Sequence, residues 1–109
     1  MTISYKILGQ SNPAATTNTD LYTVPANTSV VASTLNICNQ ATSTGTFRIA
    51  VRPAGAALDA KHYIAFSTAI AALDTISLTI GMSLAATDVV TVYASSSSFS
   101  FNLFGSEIT

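Results

Sequence analysis

The sequence predicts an all-β protein: an antiparallel β-sandwich of about eight short strands, with jelly-roll or immunoglobulin-like connectivity. Two observations point there. Short runs alternate β-branched or aromatic residues with small or polar ones, as in Phe47-Arg48-Ile49-Ala50-Val51-Arg52, Ile76-Ser77-Leu78-Thr79-Ile80, Val90-Thr91-Val92-Tyr93 and Phe99-Ser100-Phe101-Asn102-Leu103. A period of two places one face in a core and the other in water. The runs recur roughly every eight to twelve residues, each closed by Asn, Gly, Pro, Asp or Ser, which is the spacing of turn-linked strands in a sandwich or barrel.

The first strand, Ile3 to Leu8, precedes Asn12-Pro13, which open a polar loop running to Asp20. Leu21 to Val24 follows and stops at Pro25-Ala26-Asn27, where Pro fixes φ and Asn accepts a left-handed backbone. Val30 to Asn39 is closed by the turn cluster Asn39 to Gly45, and Thr46 to Arg52 is ended by Pro53-Ala54-Gly55. Lys61 to Ser67, Thr75 to Ile80, Val89 to Ala94 and Phe99 to Phe104 complete the set, with Ser95 to Ser98 joining the last two as a tight hairpin. Ala54 to Leu58 and Ala69 to Leu73 favour helix by composition but are too short to be helical alone, so they read as loops or a single turn. The expected core is Leu35, Ile37, Phe47, Ile49, Val51, Ile64, Phe66, Ile76, Leu78, Ile80, Val90, Val92, Phe99 and Phe101.

The 109 residues suit one domain, 1–109, able to bury about two thirds of the surface of its unfolded chain. Only nine residues are charged, with a net charge of −1, whereas a surface suited to solitary solubility carries about 25–35% charge. Ser and Thr number 30, so short hydroxyl side chains cover the wet faces. Four scattered basic residues exclude a nucleic-acid footprint. No apolar run approaches ~18 residues and Met1 to Gln10 lacks a signal-peptide pattern, so neither membrane insertion nor export is expected. The Asn27-Thr28-Ser29 glycosylation pattern therefore reads as unmodified. Cys38 lies in an apolar strand without a disulfide partner and is expected to be a buried free thiol, which suits a reducing compartment.

Chemistry is not signalled. His62 is the sole histidine and stands in no nucleophile motif; it reads as a structural residue at the core margin or on a contact surface. One His, one Cys and aspartates at least fourteen positions apart give no metal-ligand spacing. Asp20, Asp74 and Asp88 sit at strand mouths, where Asp caps turns by accepting backbone N–H bonds. No catalytic residue, metal or cofactor is expected, and the chain does not read as an enzyme. Tyr5, Tyr22, Tyr63 and Tyr93 each sit within a predicted strand and read as core or rim aromatics whose hydroxyls reach water.

Leu21 to Ser29, Leu35 to Asn39, Phe47 to Val51 and Asp88 to Ala94, leading into Phe99 to Glu107, resemble the small β-sandwich virion proteins of tailed bacteriophages, especially those infecting cyanobacteria and other aquatic bacteria. The likeness runs from Tyr5 to Glu107, and its Tyr-Thr-Val-Pro-Ala turn recurs in capsid cement proteins and in tail or baseplate components. With a domain of this size and no fibre shaft or coiled coil, the resemblance implies a capsid cement (decoration) protein. Such a subunit would be made in the host cytoplasm and bound outside the shell between capsomers of the major capsid protein. A tail, baseplate or fibre accessory subunit is the alternative, and a glycan-binding module a third.

Uncharged strands are hazardous as open sheet edges, because their free N–H and C=O groups recruit other strands. Thr75 to Ile80, Val89 to Ala94 and Phe99 to Phe104 carry no charge, so self-association as dimer or trimer is expected besides contact with the shell. The candidate contacts are Asn12, Thr16 and Asn18 in the first long loop, Arg48 and Arg52 on one outward strand face, and Phe104 and Ile108 near the C-terminus. The loop is expected to reach outward, the arginines are the only close cationic pair, and the two apolar residues gain little from exposure.

Overall fold

The computed structural model, which covers Met1–Thr109, contains nine strands: β1 (Ile3–Ser11), β2 (Thr19–Thr23), β3 (Ser29–Asn39), β4 (Gly45–Arg52), β5 (Tyr63–Ile70), β6 (Thr75–Leu78), β7 (Met82–Leu84), β8 (Val89–Ala94) and β9 (Phe99–Ile108). Two antiparallel sheets pack face to face. The larger has the order β1-β9-β3-β6, with β7 also on β3; the smaller has the order β2-β8-β4-β5. The β-sandwich expected from the alternation is therefore present.

The pairings are nested: β1 with β9, β2 with β8, β3 with β6 and β7, and β4 with β5. The chain is one long antiparallel hairpin, folded at the Pro53–His62 segment and then rolled so that alternate rungs fall in different sheets. This is jelly-roll connectivity. It resolves the choice between the two sandwich types.

Seventeen buried residues fill the space between the sheets, with Phe47, Phe99 and Phe101 the largest. Phe47 meets Phe101 edge-on at 6.5 Å between ring centroids. Apolar burial of this kind is the main favourable term, at about 25 cal/mol per Å² removed from water.

The structure corrects several boundaries. β1 and β9 run past the predicted ends, to Ser11 and Ile108, so the C-terminal stretch after Phe104 is strand as well. The predicted strand Thr75 to Ile80 is cut after Leu78, and Gly81, at φ +57, immediately precedes the extra strand β7 on the same partner. Ala60–His62 forms a 3-10 turn, which delays β5 to Tyr63, while Ala69 and Ile70, expected in a loop, extend it. Ser95 to Ser98 is not a hairpin, since β8 and β9 belong to different sheets; the segment arches between them. The Asn27 backbone is left-handed, at φ +57, as the Pro25 turn requires.

Three expected core residues are not in the core. Ile64 and Phe66 are exposed because β5 carries two register shifts against β4, and Ser67, at φ +51, breaks the alternation. Ile80 is exposed because it falls in the break between β6 and β7. Cys38 is half-buried rather than buried: it follows inward Ile37 and therefore points to the outer face of the larger sheet.

One polar side chain holds the sandwich end together. Asn39 is fully buried; its Nδ2 donates to the carbonyls of Ser43 (2.9 Å), Ile70 (3.3 Å) and Ala71 (3.2 Å), and its Oδ1 accepts from Ala41 N–H (3.0 Å). It thus ties the end of β3 in one sheet to the end of β5 in the other. Replacing Asn39 with Ala takes this donor from the buried Ile70 carbonyl, where an unpaired group costs about 1–3 kcal/mol, and removes the part-buried ties to Ala41, Ser43 and Ala71. Urea denaturation of the Asn39→Ala variant is expected to show a loss of about 3 kcal/mol with an unchanged m-value.

Candidate functional site

The two outer faces differ in chemistry. On the larger sheet, alternation directs Ile3, Tyr5 and Ile7 of β1, Phe104 and Ile108 of β9, and Val31 of β3 outward. Ile3, Ile7 and Val31 are 45%, 52% and 42% exposed and Tyr5 is 84% exposed, which makes an apolar half-face with Ser106 in register between Tyr5 and Val31. A groove of about 520 Å³ crosses it between Tyr5, Val31 and Phe104. The other half of the same face is polar. Gln10, Asn102, Asn36 and Ser77 lie in register across β1, β9, β3 and β6, and Gln10 donates to Asn102 at 2.7 Å.

The smaller sheet carries a cation enclosed by aromatics. Arg48 lies between the rings of Phe66 (4.2 Å) and Tyr93 (4.4 Å) and donates from Nε to Ser67 Oγ at 3.1 Å. Tyr63 packs edge-on against Phe66 at 4.9 Å. The bulge that exposes Phe66 is what brings it over Arg48. Arg52, four residues on, shares this face as predicted, but its guanidinium is occupied by Asp20 (2.9 Å), Thr91 Oγ1 (3.0 Å) and the Ala56 carbonyl (3.0 Å). Asp20 therefore neutralises an arginine and accepts from Thr91 Oγ1 (3.0 Å) instead of capping a turn. Asp74 and Asp88 do cap, accepting from Thr75 N–H and from Ala54 and Ala85 N–H.

The predicted contact residues do not converge. Phe104 and Ile108 join the apolar half-face, whereas Arg48 and Arg52 lie on the opposite side of the molecule. The first long loop is exposed but tethered: Asn12 donates to the carbonyls of Ser97 (2.9 Å) and Phe99 (2.6 Å), and Thr16 N–H donates to Ala94 (2.8 Å). These bonds clamp the loop to the β8–β9 arch, and Asn12, Thr16 and Asn18 all remain exposed. The β1 residues Ile3, Tyr5 and Ile7 were missed, although their strict alternation with Ser4 and Lys6 is visible in the sequence.

His62 is buried, and its Nδ1 accepts from Asp59 N–H at 3.1 Å, which fixes the 3-10 turn ahead of β5. One ionic cluster joins the sheets: Tyr22 of β2 donates its hydroxyl to Glu107 of β9, and Lys6 of β1 lies 2.7 Å from the same carboxylate. Lys6 and Tyr22 hold the Glu107 carboxyl below its ordinary range, while burial and the Glu107 carboxylate raise the Tyr22 hydroxyl above its ordinary value. Comparison of the chain with protein-family models, with curated proteins and with solved structures returned no match.

The linkage has two signs. A lowered carboxylate contributes stability above its unfolded value near 4.5 that is lost as pH falls, and a raised phenol contributes stability that is lost as pH climbs past about 10. Melting temperature measured against pH is therefore expected to decline at both ends. Glu107→Gln is expected to flatten the acid limb, and Tyr22→Phe the alkaline one.

Proposed function

We propose that this chain is a capsid cement (decoration) protein of a tailed bacteriophage, acting through protein contacts on the outside of the shell between capsomers of the major capsid protein. The observation that carries the reading is the exposed apolar half-face of the larger sheet, formed by Ile3, Tyr5, Ile7 and Val31. Exposed apolar surface of this kind, rimmed by polar residues, marks interaction sites. A subunit that works against a neighbour gains by covering it.

Three further features agree. The two ion pairs, Lys6–Glu107 and Arg52–Asp20, satisfy charges within the chain, so little charge must be desolvated on docking. Jelly rolls recur in viral capsid domains, a likeness of fold alone. The segments that resemble phage virion proteins include the Pro25 turn and the central strands β3, β4, β8 and β9. A specific contact of about 1,200–2,000 Å² per copy, repeated over a shell, would hold capsomers against internal pressure.

Purified chain added to expanded, empty shells that lack it is expected to bind in a fixed ratio and to raise their melting temperature. Val31→Glu, at an already exposed position, is expected to abolish that binding while leaving the variant's own melting curve unchanged. No binding by the native chain overturns the reading. The tail or baseplate alternative is separated by quantitative mass spectrometry of intact particles, where hundreds of copies indicate the capsid and a few tens or fewer indicate the tail.

A further inference from the structure

Four edges bound the two sheets: β1 and the β6/β7 pair on the larger, β2 and β5 on the smaller. Of the uncharged segments expected to be hazardous as edges, Val89 to Ala94 and Phe99 to Phe104 lie in the interior strands β8 and β9, whereas Thr75 to Ile80 supplies the edge strand β6. Three of the real edges are blunted in ways that discourage pairing. β6 and β7 are short and interrupted at Gly81, β5 is kinked at Ser67, and β2 has five residues, a register shift at Leu21 and a charge at Asp20.

β1 differs. From Ile3 to Ile7 its ladder with β9 is regular, and the shift comes only at Leu8. Thr2 and Thr109 exchange both backbone hydrogen bonds (2.8 and 2.9 Å), which sets the phase of the ladder. Ser4 and Lys6 therefore bond to β9, while Ile3, Tyr5 and Ile7 direct their N–H and C=O groups away from it, toward the open edge. Lys6, the one charge on the strand, does not guard that edge, because its side chain turns to the inner face and meets Glu107 at 2.7 Å.

We propose that this edge is a homodimer interface, in which Ile3–Ile7 of two copies pair antiparallel about a twofold axis at Tyr5. In that register Ile3 faces Ile7 of the partner subunit and Tyr5 faces Tyr5 of the partner subunit. The residues with free backbone groups are the ones that meet, and their side chains form one apolar row on the outer face. Moving the axis to Lys6 sets that cation against Lys6 of the partner subunit, which disfavours the shifted register. A second copy fits because the strand is complementary to itself in hydrogen bonding, apolar pattern and charge. The pairing consumes both edges, so assembly closes at two subunits and yields a continuous sheet across the dimer.

The dimer goes beyond the shell-docking reading and does not depend on it. Sedimentation of the purified chain, without shells, is expected to give twice the chain mass. Tyr5→Pro removes an N–H that faces the open edge rather than β9, and is expected to give a folded monomer with a native circular dichroism spectrum. Val31→Glu is expected to stay dimeric. Tyr5→Cys places its Cα about 5.5 Å from its mate, within disulfide reach, and is expected to form a covalent dimer under mild oxidation that the native chain, with Cys38 alone, does not form. A native monomer, a dimer that survives Tyr5→Pro, or no cross-link in Tyr5→Cys overturns the proposal. A monomer that still binds shells refutes only the dimer; a dimer that ignores shells refutes only the docking.

Discussion

The antiparallel ladder between β3 and β9 is the constraint on which the remaining architecture rests. It runs from Ser29 to Asn39 against Ile108 to Phe99 with one irregularity, between Ala32 and Thr34. β1 pairs on one side of it, and β6 and β7 on the other. Its inward residues Leu35, Ile37, Phe99, Phe101 and Leu103 are fully buried and form the floor on which Phe47, Ile49, Val90 and Val92 of the smaller sheet pack. Polar ties from one sheet to the other are few, the Tyr22–Glu107 bond and the Asn39 amide among them, so apolar contact across the sheet gap supplies most of the cohesion.

Much of this was legible because alternation is a local signal. The inward faces of β3, β4, β8 and β9 follow directly from it, and β8 has the predicted limits. The errors cluster where the period of two is interrupted. Nothing in Tyr63-Ile64-Ala65-Phe66-Ser67 announces that Ser67 adopts a positive φ, and that one residue moves Phe66 from the core to the surface. Cys38 is a different case: its parity with Ile37 already pointed outward, and apolar character was given more weight than position. Strand order is decided by pairings between residues up to about a hundred positions apart, such as Ile3 with Ile108, for which a single sequence holds no local mark.

The surface was less legible than the core. Phe104 and Ile108 could be singled out as apolar residues near a chain end, but their neighbours Ile3, Tyr5 and Ile7 belong to the opposite end of the sequence and join them only through the β1–β9 ladder. Arg48 and Arg52 looked equivalent by spacing. Their surroundings separate them, because Asp20 and the Pro53–Gly55 segment converge on Arg52 while only aromatic rings and one hydroxyl meet Arg48. Similarly, the amide of Asn12 reads as a free loop group until the arch at Ser97 closes on it.

Thr2 and Thr109 occupy a single rung of the ladder, so the two ends of the fold lie side by side. Grafted into a surface loop of a host protein, the fold would need no spacer to bridge its entry and exit points. A few added residues would equally make the backbone circular. Cutting that circle in the exposed Ala56-Ala57 stretch would leave every sheet pairing in place and produce a permuted chain that begins at the opposite end of the hairpin.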